Sequence, residues 1–334
     1  MQYKNKEALV TGGAGFIGSH MVELLLKKKF KVYVIDNFST GREENLNKFL
    51  KNKNLHLIES DILDNKKIIK IFKNLSYIFH FAGKGDIVPS IDNPNIYFET
   101  NVMGTMSILQ CARTCKKLKK FVYAASSSCY GIAKTPTTEA HPISTEHPYA
   151  LSKYQGEQIA FHWNKVYKIP VSSIRIFNAY GPKVRTSGVY GAVFGVFFKQ
   201  LLQNKPLTIV GDGNQSRDFL YVTDVCSAFY KIALSNKSNG DFFNLGSGLP
   251  VTINYLANIL GGKKLKIPNR PGEPKSTWAN INKIKNIIKW SPIVNFEKGV
   301  NNMLDNIEYW NNAPLWTPKK IEKATKNWFK YLRN

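Results

Sequence analysis

Acidic residues are scarce in this 334-residue chain: Asp and Glu number 23 against 47 Lys and Arg, a net charge of +24. A basic surface concentrates polyanions, which raises nucleic acid or an anionic membrane as a partner. Cysteine is also sparse, with Cys111, Cys115, Cys129 and Cys226 alone and in no double-pair spacing. No zinc site is therefore expected, and no metal of any kind, and a chain of this size needs no disulfide staples. Long apolar runs are missing too. Ala192 to Phe198 and Ile253 to Leu260 fall well short of the roughly 20 residues of a spanning helix, so no membrane span is expected. The first residues, Met1 to Glu7, are polar and lack the basic-then-apolar order of a signal peptide, and with so few cysteines a reducing cytoplasm is the expected compartment. Internal repeats and low-complexity tracts are absent. The lysines are scattered along the chain rather than gathered on a recognised nucleic-acid module, so no nucleic-acid partner is expected. A positive field would instead speed the capture of a diphosphate-bearing ligand.

What is present is a core's worth of apolar residues, 43% of the chain, in an alternating pattern of strands and amphipathic helices. Strands are predicted at Glu7 to Thr11, Phe30 to Asp36, Leu55 to Ser60, Tyr77 to Ala82, Lys120 to Ser126 and Val171 to Phe177. Helices are predicted at His20 to Lys28, Lys66 to Phe72, Asn101 to Cys115 and Ser152 to Tyr167. This is the order of an α/β protein with a doubly wound parallel sheet. After residue 178 Gly and Pro punctuation increases, as at Gly211-Asp-Gly213 and Arg270-Pro-Gly-Glu-Pro274, which suits a smaller C-terminal binding lobe. The expected division is a dinucleotide-binding domain over 1–177, with a returning segment near 214–240, and a substrate lobe from 178–213 and 241–334.

Two motifs carry chemistry. Thr11-Gly-Gly-Ala-Gly-Phe-Ile-Gly18 sits between the first strand and the first helix, so Gly12 allows the tight turn, Gly15 the approach of a pyrophosphate and Gly18 close helix packing. Asp36 closes the second strand about 20 residues further on, where an acid binds the adenosine ribose and repels a 2′-phosphate, so NAD is favoured over NADP despite nearby Arg42. In Tyr149-Ala-Leu-Ser-Lys153, Pro148 starts a helix that sets the tyrosine and lysine on one face. A lysine ammonium and an oxidised nicotinamide would both pull a phenol down from its usual value of about 10, making Tyr149 a general base. Ser126, ending the fifth strand, offers a hydroxyl to the same substrate oxygen.

With these residues in place the chain resembles the extended short-chain dehydrogenase/reductase family, in its UDP-glucose 4-epimerase-like branch. The resemblance runs from about Ala8 to Leu304 through TGGAGFIG, DNFSTG, HFAG, YALSK, RIFNAYGP, GDGNQSRDFLYVTD and RPGEP. It implies an NAD site formed by Gly12, Gly15, Phe16, Ile17, Gly18, Asp36, Asn37, Ser39, Thr40, Gly41, Asp61, Ile62, Phe81, Ala82, Gly83, Lys84, Asn101, Tyr149, Lys153 and Phe177. It implies catalysis by Ser126, Tyr149 and Lys153, and a nucleotide-diphosphate sugar, UDP-linked in preference, held by Lys84, Ser126, Ser127, Ser128, Asn178, Arg217, Arg270, Glu273 and Thr277. Dehydratase and decarboxylase relatives carry carboxylates after the catalytic serine; here Ser127 and Ser128 stand there, leaving oxidation and re-reduction, which is 4-epimerisation. A keto-sugar reductase or epimerase-reductase using NAD(P)H, and a silent NAD-binding scaffold, are the competing readings. Thr277 falls at the family's gate beside the sugar 2-substituent, where a tyrosine would exclude an N-acetyl group. The stretch Arg185 to Gly191 departs from the family pattern. The resemblance further implies a homodimer through the helices at Asn101 to Cys115 and Ser152 to Tyr167. Beyond the usual family end, Thr317-Pro318 opens a helix with Ile321, Ala324, Trp328 and Leu332 on one face, expected to pack on the lobe.

Overall fold

The computed structural model describes residues 6–184, 193–270 and 272–332; the unusual Arg185 to Gly191 stretch lies outside them. Six strands follow the expected alternation: β1 (Glu7–Thr11), β2 (Lys31–Asp36), β3 (Leu55–Glu59), β4 (Tyr77–His80), β5 (Lys120–Ser126) and β6 (Val171–Ile176). A seventh strand, Asp241–Leu245, pairs in parallel with β6, from Asp241 opposite Ser172 to Leu245 opposite Ile176. The sheet order is Asp241–Leu245, β6, β5, β4, β1, β2, β3, all pairs parallel.

Period-two alternation distributes the strand residues over two cores. Ala8, Val10, Val32 and Val34 face one side, packed with the Phe16–Lys27 helix; Leu9 and Ile35 face the other, with Ile108, Leu109 and Phe121. Each side is covered by helices, which is why these strands are apolar almost throughout. A separate core of Phe194, Phe197, Phe198, Trp310 and Ile321 holds the lobe.

The observed division differs from the expected one. The return to the sheet domain does not stop near 240: Phe243 and Leu245 have no solvent exposure and extend the sheet, and Ile284, Ile288 and Trp290 come back a second time to the same core. Conversely, residues 216–221 belong to the lobe side of the cleft. Ser216–Arg217 pairs with Val251–Thr252, and Phe219–Tyr221 with Asn178–Tyr180. Helix Asn101 to Cys115 is also broken differently, into Pro94–Phe98, a π-turn at Glu99–Met103 and Gly104–Ala112.

β1 lies between β2 and β4, so connections run off in opposite directions on either side of it. A crevice opens at such a switch point beyond the strand C-termini. Gly12 follows β1, Asp36 ends β2, Phe81 follows β4, Ser126 ends β5 and Phe177 follows β6. The sheet alone therefore brings five segments, far apart in sequence, to one edge.

Candidate active site

Two adjoining cavities occupy the crevice, of about 400 Å³ on the sheet side and about 450 Å³ on the lobe side. Gly12, Gly15, Phe16, Ile17, Gly18, Asp36, Asn37, Ser39, Thr40, Asp61, Ile62, Phe81, Ala82, Gly83, Lys84, Ser126, Tyr149, Lys153 and Phe177 line the first. Ser126, Ser127, Ser128, Asn178, Arg217, Arg270, Glu273 and Thr277 line the second together with Tyr149. Their common wall includes Asp86, Ser126, Tyr149 and Phe177, so the two chemically reactive hydroxyls stand where the cavities meet.

The floor of the first cavity is a tight glycine turn. Gly12 has φ of +67°, and a Cβ there would lie 2.8 Å from the Ala82 amide nitrogen. A Cβ on Gly18 would run into the Gly12 carbonyl. The turn thus needs hydrogen at both positions, and it delivers the start of the Phe16–Lys27 helix, capped by Gly15, with its free N–H groups facing the cavity. Asp36 is held by two backbone donors, Ala14 N–H to Oδ2 and Phe38 N–H to Oδ1, each at 2.9 Å. Burial nonetheless raises its pKa above the ordinary carboxylate value. Arg42 pairs with Glu44 at 2.8 Å and lies over the Tyr309 ring, away from the cavity lining.

Two expected NAD residues stand behind the wall rather than in it. Gly41 abuts the Asp36 carboxylate, 2.7 Å from where its Cβ would be. Asn101, fully buried on the π-turn, accepts the Lys84 N–H through Oδ1 (2.8 Å) and donates from Nδ2 to the Lys84 carbonyl and Ser152 Oγ. It braces the Lys84 loop. Lys84 Nζ in turn donates to Ser39 Oγ at 3.1 Å, and Asn37 Nδ2 to Asp61 at 2.6 Å, closing that end of the cavity.

The helix Pro148–Tyr167 carries the reactive pair. His147 caps it, Nδ1 accepting the Ala150 N–H at 3.1 Å, and Pro148 occupies its first turn. Deeper in the helix Glu157 forks onto Arg175 of β6, with Arg175 Nη2 donating to Oε2 at 2.6 Å and Nε to both oxygens. Ser173 donates to the same carboxylate at 2.6 Å. This ties the helix to the sheet two turns below Tyr149. At the top, Ser126 Oγ accepts the Ser128 N–H (3.2 Å), and the Ser126 hydroxyl hydrogen-bonds Tyr149.

The electrostatics correct the sequence expectation. Burial outweighs the Ser126 hydrogen bond and pushes the Tyr149 phenol above its ordinary value, with the Asp86 carboxylate adding to the rise. Lys153, its Nζ 4.4 Å from the centre of the Tyr123 ring, is lowered to about 7 by burial, with Glu157 acting the other way. The protein's own groups therefore favour a neutral phenol, and an oxidised nicotinamide held in the first cavity would favour the phenolate.

On the lobe side Arg217 Nη2 donates to Glu273 Oε1 at 2.6 Å and Nη1 to the Pro274 carbonyl, while Arg270 approaches Glu273 Oε2 at 3.6 Å. Glu273 holds the two guanidinium groups together. Thr277 donates to Asn178 Oδ1 at 2.7 Å and accepts the Asp218 N–H. Residues not read from the sequence join them: Asp86, Glu146, His147 and Trp328 also line this cavity. The His147 ring lies parallel to that of Tyr149, centroids 5.9 Å apart, and burial lowers it to about 4. Its capping position three residues before Ala150 is the one sequence signal that could have singled it out.

The comparisons agree with this geometry. The family model described as GDP-mannose 4,6 dehydratase matches residues 9–303. A putative UDP-glucose 4-epimerase of Methanocaldococcus jannaschii is 34% identical over 89% of this chain and 97% of its own length. The UDP-N-acetylglucosamine 4-epimerase of Methanobrevibacter ruminantium, solved with UDP-N-acetylmuramic acid, superposes with a TM-score of 0.86 at 30% identity, over 92% of this chain and 99% of that one. The UDP-glucuronic acid 4-epimerase of Bacillus cereus, solved with UDP-glucuronic acid and NAD, gives 0.84 at 32% identity, over 90% and 99%. The chain belongs to the GDP-mannose 4,6 dehydratase family, within the extended short-chain dehydrogenase/reductases.

Proposed function

We propose that this protein is an NAD-dependent 4-epimerase of UDP-activated hexoses and N-acetylhexosamines. The observation that carries the reading is the common wall: Ser126 and Tyr149 face a dinucleotide cavity on one side and a cavity bearing two arginines on the other. The residues present fit NAD. The glycine turn leaves space where side chains would intrude, and Asp36 at the ribose end with Arg42 turned aside favours an unphosphorylated ribose. The similar enzymes act on UDP-glucose, UDP-N-acetylglucosamine and UDP-glucuronate by their names.

NAD, held by the residues of the first cavity, supplies reversible hydride acceptance at the sugar C4. Tyr149 takes the proton of the 4-hydroxyl, and Ser126 hydrogen-bonds the same oxygen, so charge does not accumulate on it. Lys153 stands one turn behind, where its ammonium favours the phenolate. Arg217 and Arg270 hold the diphosphate while the 4-keto sugar turns over between them and the tyrosine. The proton on Tyr149 then returns to the oxygen as the opposite configuration forms. Ser127 and Ser128 present no carboxylate for dehydration or decarboxylation. The described carboxylates of the second cavity, Asp86 and Glu146 beside Glu273, favour an uncharged sugar over a uronate. Thr277 lacks the ring that would exclude an N-acetyl group, so UDP-N-acetylglucosamine belongs among the substrates.

A homodimer is part of the proposal. Ile96, Met103, Leu151, Val166 and Tyr167 are exposed apolar residues on the two helical segments that would form a four-helix interface. Among the described residues no helix is long and apolar enough to cross a membrane. The four cysteines are buried free thiols, which suits the reducing cytoplasm.

The test is turnover without added cofactor. Purified protein should release NAD(H) on denaturation and interconvert UDP-glucose with UDP-galactose, and the N-acetyl pair likewise, with no net change in NADH absorbance. Protein that carries no dinucleotide, or that consumes NADPH in proportion to product, overturns the epimerase in favour of a reductase.

A further inference from the structure

The helix Pro318–Tyr331 lies past the family-matched stretch, which ends at 303. Thr317 caps it, its Oγ1 accepting the Lys320 N–H. Its first half is anchored in the lobe: Ile321 is buried in the lobe core, and Gln200 Nε2 donates to the Trp316 carbonyl at 2.9 Å. Its second half leaves the lobe. Asn327 Nδ2 donates to Asp92 Oδ1 at 2.7 Å, at the end of the Ile87–Asp92 helix of the sheet domain, and the two helices pack together. One turn on, Leu332 lies against the diphosphate loop, 3.7–3.9 Å from where a Gly272 Cβ would be. The helix thus spans from the lobe core across to the sheet domain.

Between those two contacts stands Trp328, 6% exposed, on the wall of the substrate cavity. The Ile87–Asp92 helix enters the cavity wall at Asp86, Ile87 and Val88. Tyr97 donates to the Asp86 carbonyl at 2.6 Å, and its ring lies 6.3 Å from that of Tyr149. Trp328 therefore lines the same cavity as Tyr149, on a helix packed against the one whose start, at Asp86 and Ile87, forms part of that wall.

We infer that Trp328 is a substrate-positioning residue that holds the hexose ring against Tyr149, and that the C-terminal helix completes the active site. The inference rests on the epimerase reading for the identity of the ligand. A flat, rigid indole is suited to the C–H face of a pyranose, and it excludes water at low conformational cost. A sugar that must turn over between oxidation and re-reduction needs a wall that is firm but makes no directional hydrogen bond to one configuration. The face of an aromatic ring meets both conditions.

The test compares the full-length wild type with Trp328→Ala and Trp328→Phe, with NAD content and unfolding midpoint as controls on folding. Affinity for UDP and KM and kcat for UDP-glucose and UDP-N-acetylglucosamine are measured in each. Trp328→Ala should raise KM for both sugars about tenfold while UDP affinity stays within about twofold, and Trp328→Phe should recover most of the loss. The wild-type tryptophan fluorescence change on adding UDP-sugar should shrink in Trp328→Phe, which reads the contact even if the alanine variant fails to fold. Unchanged KM in Trp328→Ala, equal loss of UDP and UDP-sugar affinity, or an undiminished fluorescence change in Trp328→Phe overturns the inference and leaves the epimerase standing. A wild type that binds UDP-sugars without epimerising them overturns the epimerase, while the same variants still decide Trp328 by affinity. A wild type that binds no UDP-sugar overturns both.

Discussion

Replacing Glu157 by Gln tests what holds the catalytic helix in place. The carboxylate and its partner Arg175 are 1% and 4% exposed, so neither has water to fall back on. Glu157→Gln keeps the shape but leaves a guanidinium buried without its counter-charge, at an expected cost of about 3–5 kcal/mol. Arg175→Met strands the carboxylate instead and should cost about as much. The double variant Glu157→Leu, Arg175→Met removes both charges and the desolvation penalty with them, and should return to within about 2 kcal/mol of wild type. In the double variant Tyr130, which accepts from Arg175 Nη1 and donates to Asn244, and Ser173, which donates to Glu157, each lose a partner, which keeps it from gaining stability outright. Urea unfolding followed by circular dichroism gives the cycle. Glu157 also opposes the burial that lowers Lys153 to about 7, so Glu157→Gln should move that lysine lower still, displacing the alkaline limb of the pH–rate profile towards acid. If Glu157→Gln costs less than about 1 kcal/mol, the pair is not the buried brace described and the helix is held by packing alone.

Tyr149→Phe should lower kcat by a factor of about 100 to 10,000 and leave bound NAD(H) unchanged, since only the proton-transfer group is removed; near-normal turnover rejects Tyr149 as the base. Thr277→Tyr should suppress epimerisation of UDP-N-acetylglucosamine and spare UDP-glucose, and an unchanged ratio of the two activities refutes the gate. Fully buried His80, held between Thr11 and Thr105, is lowered to about 3 by burial with Lys153 adding to it. The unfolded chain's histidine binds its proton near pH 6.5, so stability should fall as pH drops below about 6.5, by roughly 1.4 kcal/mol per unit for this group. His80→Asn should flatten the slope of unfolding free energy between pH 6 and 4, and an identical slope removes His80 from the account. Gly18→Ala, which drives a methyl into the Gly12 carbonyl, should yield protein that purifies without dinucleotide, as judged by its absorbance ratio.

The parts that could be read along the chain are those whose partners are neighbours in sequence. Gly12, Gly15 and Gly18 form one turn, Asp36 ends the next strand, and Tyr149 and Lys153 share a helical face; each is dictated by backbone geometry within a few residues or one βαβ unit. Residues 241–245, given to the lobe on sequence, complete the sheet instead: their partner, β6, lies about 70 residues earlier, and a short apolar run does not say which sheet it joins. Asn101 and Gly41, expected in the wall of the first cavity, stand behind it, since a motif does not say what a residue touches.

Sequence alone determined the parallel sheet, the dinucleotide crevice and the Ser126, Tyr149, Lys153 set, because strand periodicity, glycine turns and helical spacing are local consequences of covalent structure. The tertiary fold decided which side chains share a cavity: Asp86, the adjacent pair Glu146 and His147, and Trp328 reach it from three separate points in the chain. It also decided the sign of the charge balance there, raising the Tyr149 phenol where the isolated Tyr-x-x-x-Lys pattern implies a fall. Burial and long-range contact are sums over the whole folded chain, and desolvation of a buried phenol outweighs the hydrogen bond it gains from a neighbour brought to it by the same folding.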